Sequence, residues 1–217
     1  MSLENKPQDH HYWETRPKDD PKRDWLEQTD NWVNDYAKSV NHSHREMVLE
    51  ALETIPDFKS VLEVGCNAGP NLDKIHQSYP SVKCTGIDVN NDAIETAEKN
   101  IPFADVKVGN VLSLPFEDHT FDVVLADAVL MYVDANNIEM ALSEMMRVCK
   151  KRLILIEWKS DKIEGEIKNF HWARDYVSLL RQVGWKGTIQ SQELTEENWS
   201  TKTWSNNGIC IVAYHHQ

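Results

Sequence analysis

Residues Val61-Leu62-Glu63-Val64-Gly65-Cys66-Asn67-Ala68-Gly69-Pro70-Asn71-Leu72 run from an apolar segment into a turn of small residues and out again. A short apolar run, a glycine-bearing turn and a proline suited to a first helical turn read as strand, loop and helix N-terminus. Gly65 and Gly69 admit backbone conformations closed to residues with a Cβ, and they let a ligand approach the main chain closely. Asn67, between them, is among the few other residues that tolerate left-handed backbone. Glu63 closes the strand, where its carboxylate can accept hydrogen bonds from a polar ligand. A nucleoside-type ligand is the first expectation. The dinucleotide fingerprint Gly-x-Gly-x-x-Gly would ask for glycine at 65, 67 and 70, and only Gly65 complies.

Downstream of this turn, strands are expected at about 82–88, 104–108, 121–126 and 153–157, separated by amphipathic helices through Ala93, Ile94 and Ala97 and over 138–148. Such alternation implies right-handed crossovers and a parallel sheet covered on both faces. The last third differs. A helix over about 168–182 is followed by a strand over 184–190, a loop to about 207 and a strand over 209–214, two strands that should pair as an antiparallel hairpin. Upstream, Ser43-His44-Arg45-Glu46 reads as a capping box opening a helix over about 43–55, and one or two short helices are expected between Trp25 and Val40. Residues 1–24 hold Pro7, Pro17 and Pro21 among charges and are expected to be a polar tail, mobile over at least the first ten residues. Residues 25–217 then form a single domain that includes an N-terminal helical cap over 25–55.

The chain has 217 residues, room for one well-buried domain but not two. Its formal net charge of -12 argues against a nucleic-acid partner, which clustered Lys and Arg would serve. No apolar run reaches the roughly 18 residues that span a bilayer, and the start has no hydrophobic signal region. The four cysteines, at 66, 84, 149 and 210, form no Cys-x-x-Cys pair and read as reduced thiols of a cytoplasmic protein. Oligomeric state has no signature in the sequence.

The 61–72 stretch resembles motif I of the class I S-adenosylmethionine-dependent methyltransferases, acid-x-Gly-x-Gly-x-Gly, with Asn67 in place of the middle glycine. The resemblance extends over roughly residues 60–158, and the closing antiparallel hairpin looks like the end of that family's sheet. It implies a Rossmann-like α/β fold: seven strands, mostly parallel with a C-terminal antiparallel hairpin, and helices on both faces. It further implies methyl transfer from S-adenosylmethionine to a small molecule, S-adenosylhomocysteine being the other product. An NAD-type oxidoreductase and a non-catalytic partner subunit of the same fold are the alternatives.

In open α/β sheets the ligand lies beyond the carboxyl ends of the parallel strands. That rule places Glu63, Gly65, Cys66, Asn67, Gly69 and Asn71 at the site, together with Asp88, Val89, Asn110, Val111, Asp127 and Ala128. The resemblance implies that Asp88 takes the ribose hydroxyls and that Asn110 takes the adenine amino group. A helix-capping role for Asp88 and a turn role for Asn110 are the bland counterparts. Arg45 offers paired donors for a carboxylate, or a surface salt bridge. Trp158, Trp172, Trp199 and Trp204, joined by Trp32 and Tyr132, are expected to wall the acceptor, a flat apolar ring or a cationic amine. His171, His44 and Tyr132 are the candidates for a base, in that order. His42 and His44 precede a helix without sharing one of its faces, so no metal site is expected.

Overall fold

Every side chain of Val61–Val64 is buried, so the strand that bears them must be covered on both faces. The computed structural model describes residues 10–18, 20, 31–168, 171–196 and 202–215. Its strands are β1 (Ser60–Val64), β2 (Lys83–Asp88), β3 (Asp105–Val108), β4 (Phe121–Asp127), β5 (Cys149–Trp158), β6 (Glu166–Lys168), β7 (His171–Ala173), β8 (Thr188–Glu193) and β9 (Gly208–Tyr214). Seven of them form one sheet in the order β3-β2-β1-β4-β5-β9-β8. The first five are mutually parallel, and β9 runs antiparallel between β5 and β8. The strand order reverses between β1 and β4, which is where ligand crevices form in sheets of this kind.

Alternation along the central strands divides the core. Val61, Val123 and Ile154 face one cluster with Leu52, Ile75 and Ile94. Leu62, Val124 and Leu155 face the other with Leu142, Met145 and Leu180. The helices that supply these residues are α3 (His44–Glu53), α4 (Pro70–Ser78) and α5 (Asn91–Asn100) for the first face, and α6 (Ile138–Val148) and α7 (Tyr176–Gln182) for the second. The expected seven-stranded, mostly parallel sheet with an antiparallel end is therefore present. Among the described residues, no helix is long and apolar enough to cross a membrane.

Two local expectations fail for identifiable reasons, and part of the expected polar tail is helical. The helix over 168–182 is only α7; the residues before it form the small antiparallel pair β6–β7, with Ile167 opposite Trp172, and Asp175 caps α7 through the Ser178 N–H. Ser43 makes no capping hydrogen bond. A 3-10 turn over Ser39–Asn41 leads into α3 and Ser43 is already helical, so its hydroxyl is not aimed at the helix's free N–H groups. The polar tail contains a helix, α1 (His10–Thr15), because Trp13 and Arg16 find partners on the domain, chiefly around α2 (Trp32–Lys38). Trp25 and residues 1–9 lie outside the described residues.

Candidate active site

The β1 turn takes the shape its residues allow. Gly65, Asn67 and Gly69 have φ of 70°, 51° and 80°, and Gly69 leads directly into α4 with Pro70 at its start. A Cβ at Gly65 would lie 2.4 Å from Val129 Cγ2, and one at Gly69 would lie 2.2 Å from Ile101 Cδ1. Gly65 is thus required by packing as well as by conformation, and Gly69 by its left-handed backbone. The Asn67 N–H donates to Asp88 Oδ2 at 2.8 Å, and the Asn90 N–H donates to Asp88 Oδ1 at 2.9 Å. Asp88 therefore braces the turn while its remaining lone pairs stay available. Burial raises its carboxyl, opposed by those backbone donors. The Cys66 thiol packs against Gly86, so contact of residue 66 with a ligand falls to its main chain.

A second layer of polar side chains lies beneath the turn, between β1, β4 and α3. Asn71 Nδ2 donates to Glu63 Oε1 at 2.7 Å and to Asp127 Oδ2 at 2.9 Å. Arg45 Nη1 donates to Asn71 Oδ1 at 3.0 Å and to Asp127 Oδ2 at 3.1 Å, and Nη2 donates to Ser39 Oγ at 2.9 Å. Arg45 is only 3% exposed, so it forms a buried ion pair and not a surface one. His44 Nε2 lies 3.2 Å from the same Asp127 oxygen, and its Nδ1 is 2.7 Å from His42 Nδ1.

Burial would raise Asp127, but His44, Arg45 and Asn71 hold it down at about 2. An ionised Asp127 accepts a hydrogen bond from His44 Nε2, and His44 Nδ1 is paired with His42, so both ring nitrogens of His44 are committed. This removes His44 as a base acting directly on an acceptor. Burial, followed by the neighbouring Arg45, lowers its own pKa. His42 is pushed down to about 4 by burial, then by His44 and Arg45. Glu63 goes the other way, raised to about 8 chiefly by burial. Among the described residues, its Oε2 and the Arg45 Nε are buried without a hydrogen-bond partner.

Beyond β4, the turn from Ala128 to Val133 is gripped from both sides. Glu157 accepts from the N–H groups of Val129 (3.0 Å), Leu130 (2.8 Å) and Met131 (3.1 Å). Arg174 donates to the carbonyls of Leu130 (3.0 Å) and Val133 (2.5 Å). Tyr132 emerges from this turn into a row of aromatic rings: Trp13 to Tyr132 (4.9 Å), Tyr132 to His171 (5.1 Å), His171 to Trp158 (4.9 Å) and Trp158 to Trp204 (6.0 Å).

Of the aromatic residues expected around the acceptor, the structure brings Tyr132, Trp158 and Trp204 into one row and places others elsewhere. Trp32 is 1% exposed in the core of the cap, its Nε1 donating to the Pro17 carbonyl, so it backs the row instead of lining it. Trp158 is also buried, and Trp172 stands beside Arg174 in the β6–β7 pair. Trp199 lies outside the described residues. Asn110 turns its Oδ1 to the Leu112 N–H, which is the turn role. Val111 joins the core beside Ile87, while Val89 and Ala128 stay half-buried at the strand ends. Among the described residues no group of His, Cys, Asp and Glu is arranged to hold a metal ion. Sequence reasoning missed Trp13, whereas Glu157, at the end of a strand, and Arg174, near the start of the expected 168–182 helix, fall at the ligand edge by the same rule that places the other residues. The Trp13-to-Arg16 pairing of an aromatic with a cation in a polar stretch was the signal for Trp13.

Residues 61–152 match a methyltransferase domain family. The strand order and the acid-x-Gly-x-Asn-x-Gly turn agree with that match. That segment is a domain of the class I S-adenosylmethionine-dependent methyltransferase kind. Among the relatives of this chain is the phthiotriol/phenolphthiotriol dimycocerosates methyltransferase 1 of Mycobacterium ulcerans, 33% identical over 154 residues, covering 64% of this chain and 55% of that protein. The demethylmenaquinone methyltransferase of Thermotoga maritima is 28% identical over 134 residues, covering 58% and 56%. The chain spans 40%, 57% and 55% of three of the curated relatives it matches, about half of their length. A solved geranyl diphosphate methyltransferase, in complex with GPP and sinefungin, has the same fold at TM-score 0.63 and 15% identity, over 82% of each chain. So does the cyclase SpnF, at TM-score 0.63 and 15% identity over 79% of this chain and 80% of that one. Fold alone thus leaves the chemistry to the site.

Proposed function

We propose that this methyltransferase transfers a methyl group from S-adenosylmethionine to a small-molecule acceptor by in-line displacement. The observation that carries the reading is the turn of left-handed residues 65, 67 and 69 braced by Asp88, set above a buried Glu63 oxygen and a buried Arg45 nitrogen that have no hydrogen-bond partner among the described residues. A nucleoside bearing an amino-acid end would give each of these groups a partner. Asp88 would hold the ribose hydroxyls, Glu63 the ammonium and Arg45 the carboxylate. The cofactor supplies a methyl group already activated by its sulfonium.

What remains for the protein is to align the acceptor and exclude water, a contribution that can reach about 7–11 kcal/mol. Tyr132, Trp13 and the aromatic row suit an acceptor with a flat apolar ring, or an amine drawn to ring faces. Where the acceptor atom carries a proton, His171 is the group to receive it: it lies in the row beside Tyr132, and His44 is committed to Asp127 and His42.

Calorimetry with S-adenosylhomocysteine tests the reading. One site per chain is expected, and Asp88→Ala should weaken binding by about tenfold or more, the ordinary worth of hydrogen bonds to a charged group. Undetectable binding of both S-adenosylmethionine and S-adenosylhomocysteine by the parent chain would sink it. A stabilising response to NAD would point to the oxidoreductase alternative.

A further inference from the structure

Residues 10–18 lie across the carboxyl edge of the sheet and touch both of its halves. On the β2 side, Asn90 is 2% exposed and donates from Nδ2 to the carbonyls of Trp13 (2.8 Å) and Arg16 (3.0 Å). Its Oδ1 meanwhile accepts from the Ala93 N–H and caps α5. On the β4 side, the Trp13 ring meets Tyr132 nearly edge-on. Between these ends the Arg16 guanidinium lies 4.4 Å from the Trp32 ring centroid and 3.0 Å from the Asp20 carboxylate, and Lys18 reaches Asp92 and Glu95 of α5. Asn90 also donates its own N–H to Asp88, the acid that would hold the ribose.

We propose that residues 10–18 are a strap forming the outer wall of the active site, with Trp13 as the wall residue beside Tyr132 and Asn90 as the positioning residue that latches it. The inference rests on the methyltransferase reading for what the wall encloses; the latch itself does not depend on it. The strap ties the cofactor half of the edge to the acceptor half, and a bound cofactor leaves only when it opens. Through Asn90, the same residue braces Asp88 from below and holds the strap from above.

Asn90→Asp separates the latch from the cap. Aspartate caps a helix as well as asparagine does, so α5 keeps the acceptor for the Ala93 N–H. The variant cannot donate to the two strap carbonyls, and two hydrogen bonds of ordinary worth correspond to about a tenfold change in an equilibrium constant. Amide exchange over residues 10–18 should therefore quicken by about tenfold with no ligand present, while exchange in α5 stays unchanged. Exchange of the strap unchanged from the parent overturns the latch.

Stopped-flow tryptophan fluorescence with S-adenosylhomocysteine tests the wall. Its off-rate should rise by about tenfold in Asn90→Asp and in Trp13→Ala, and much less in Trp13→Phe, which keeps a ring against Tyr132. Faster strap exchange with off-rates unchanged overturns the wall role. If the parent chain binds no S-adenosylhomocysteine, the methyltransferase reading and the wall role fall together, and the exchange experiment still decides the latch.

Discussion

Glu63 and Asp127 are buried carboxyl groups at the ends of adjacent strands, joined by the amide of Asn71, yet they are driven in opposite directions. Among the described residues Glu63 receives one hydrogen bond, and burial raises it to about 8. Asp127 receives Arg45, Asn71 and His44 on a single oxygen and is held at about 2. Burial is common to both, so the number and charge of the donors decides between them. At neutral pH the network holds an Arg45–Asp127 ion pair beside a protonated Glu63. An ammonium group arriving at Glu63 would favour its ionised form, so cofactor binding should release a proton.

The comparison breaks most severely at Asp127. Asp127→Asn leaves the Arg45 charge buried without its counter-ion, and urea unfolding at pH 7 should show a loss of about 3–5 kcal/mol. Glu63→Gln tests the other side with a smaller effect and a definite sign. A carboxyl whose folded pKa lies near 8, against 4.5 when unfolded, favours the fold below 4.5 and loses that advantage as pH rises through 8. The parent should therefore lose stability between pH 5 and pH 8, and Glu63→Gln should reduce that slope. Glu157, also raised to about 8 by burial, keeps part of it. The Asp127 contribution runs the opposite way: it is present above 3.8 and disappears as pH falls toward 2, so Glu63→Gln leaves acid unfolding in place. The smallest effect belongs to Ser39→Ala, which removes the acceptor for Arg45 Nη2 and should cost about 1 kcal/mol in the same unfolding assay.

The sheet was legible because its signals are local. Val61-Leu62-Glu63-Val64 is an unbroken apolar-facing run, the glycines at 65 and 69 punctuate it, and Pro70 starts a helix, all within a dozen residues. The Arg45 to Asp127 pair joins positions 82 apart, and nothing in the local pattern of either specifies the other. The hydrogen bonds from Asn90 to Trp13 and Arg16 are equally long-range. Helical periodicity over 168–182 misled for a related reason. Ile167 and Trp172 are paired across β6 and β7, and Arg174 is drawn inward by two carbonyls of the turn after β4, a tertiary demand that outweighs local preference. The histidines illustrate the same limit. The sequence shows them near a helix start, whereas only the fold reveals that His44 is tied at both ring nitrogens.

Gly65 is usually thought of as belonging to the cofactor, but the space its missing side chain would fill is taken by Val129 from the turn after β4. The two loops are therefore interlocked parts and not interchangeable modules. Remodelling the turn that carries Tyr132 to admit a different acceptor must preserve a side chain at 129 that nests against residue 65.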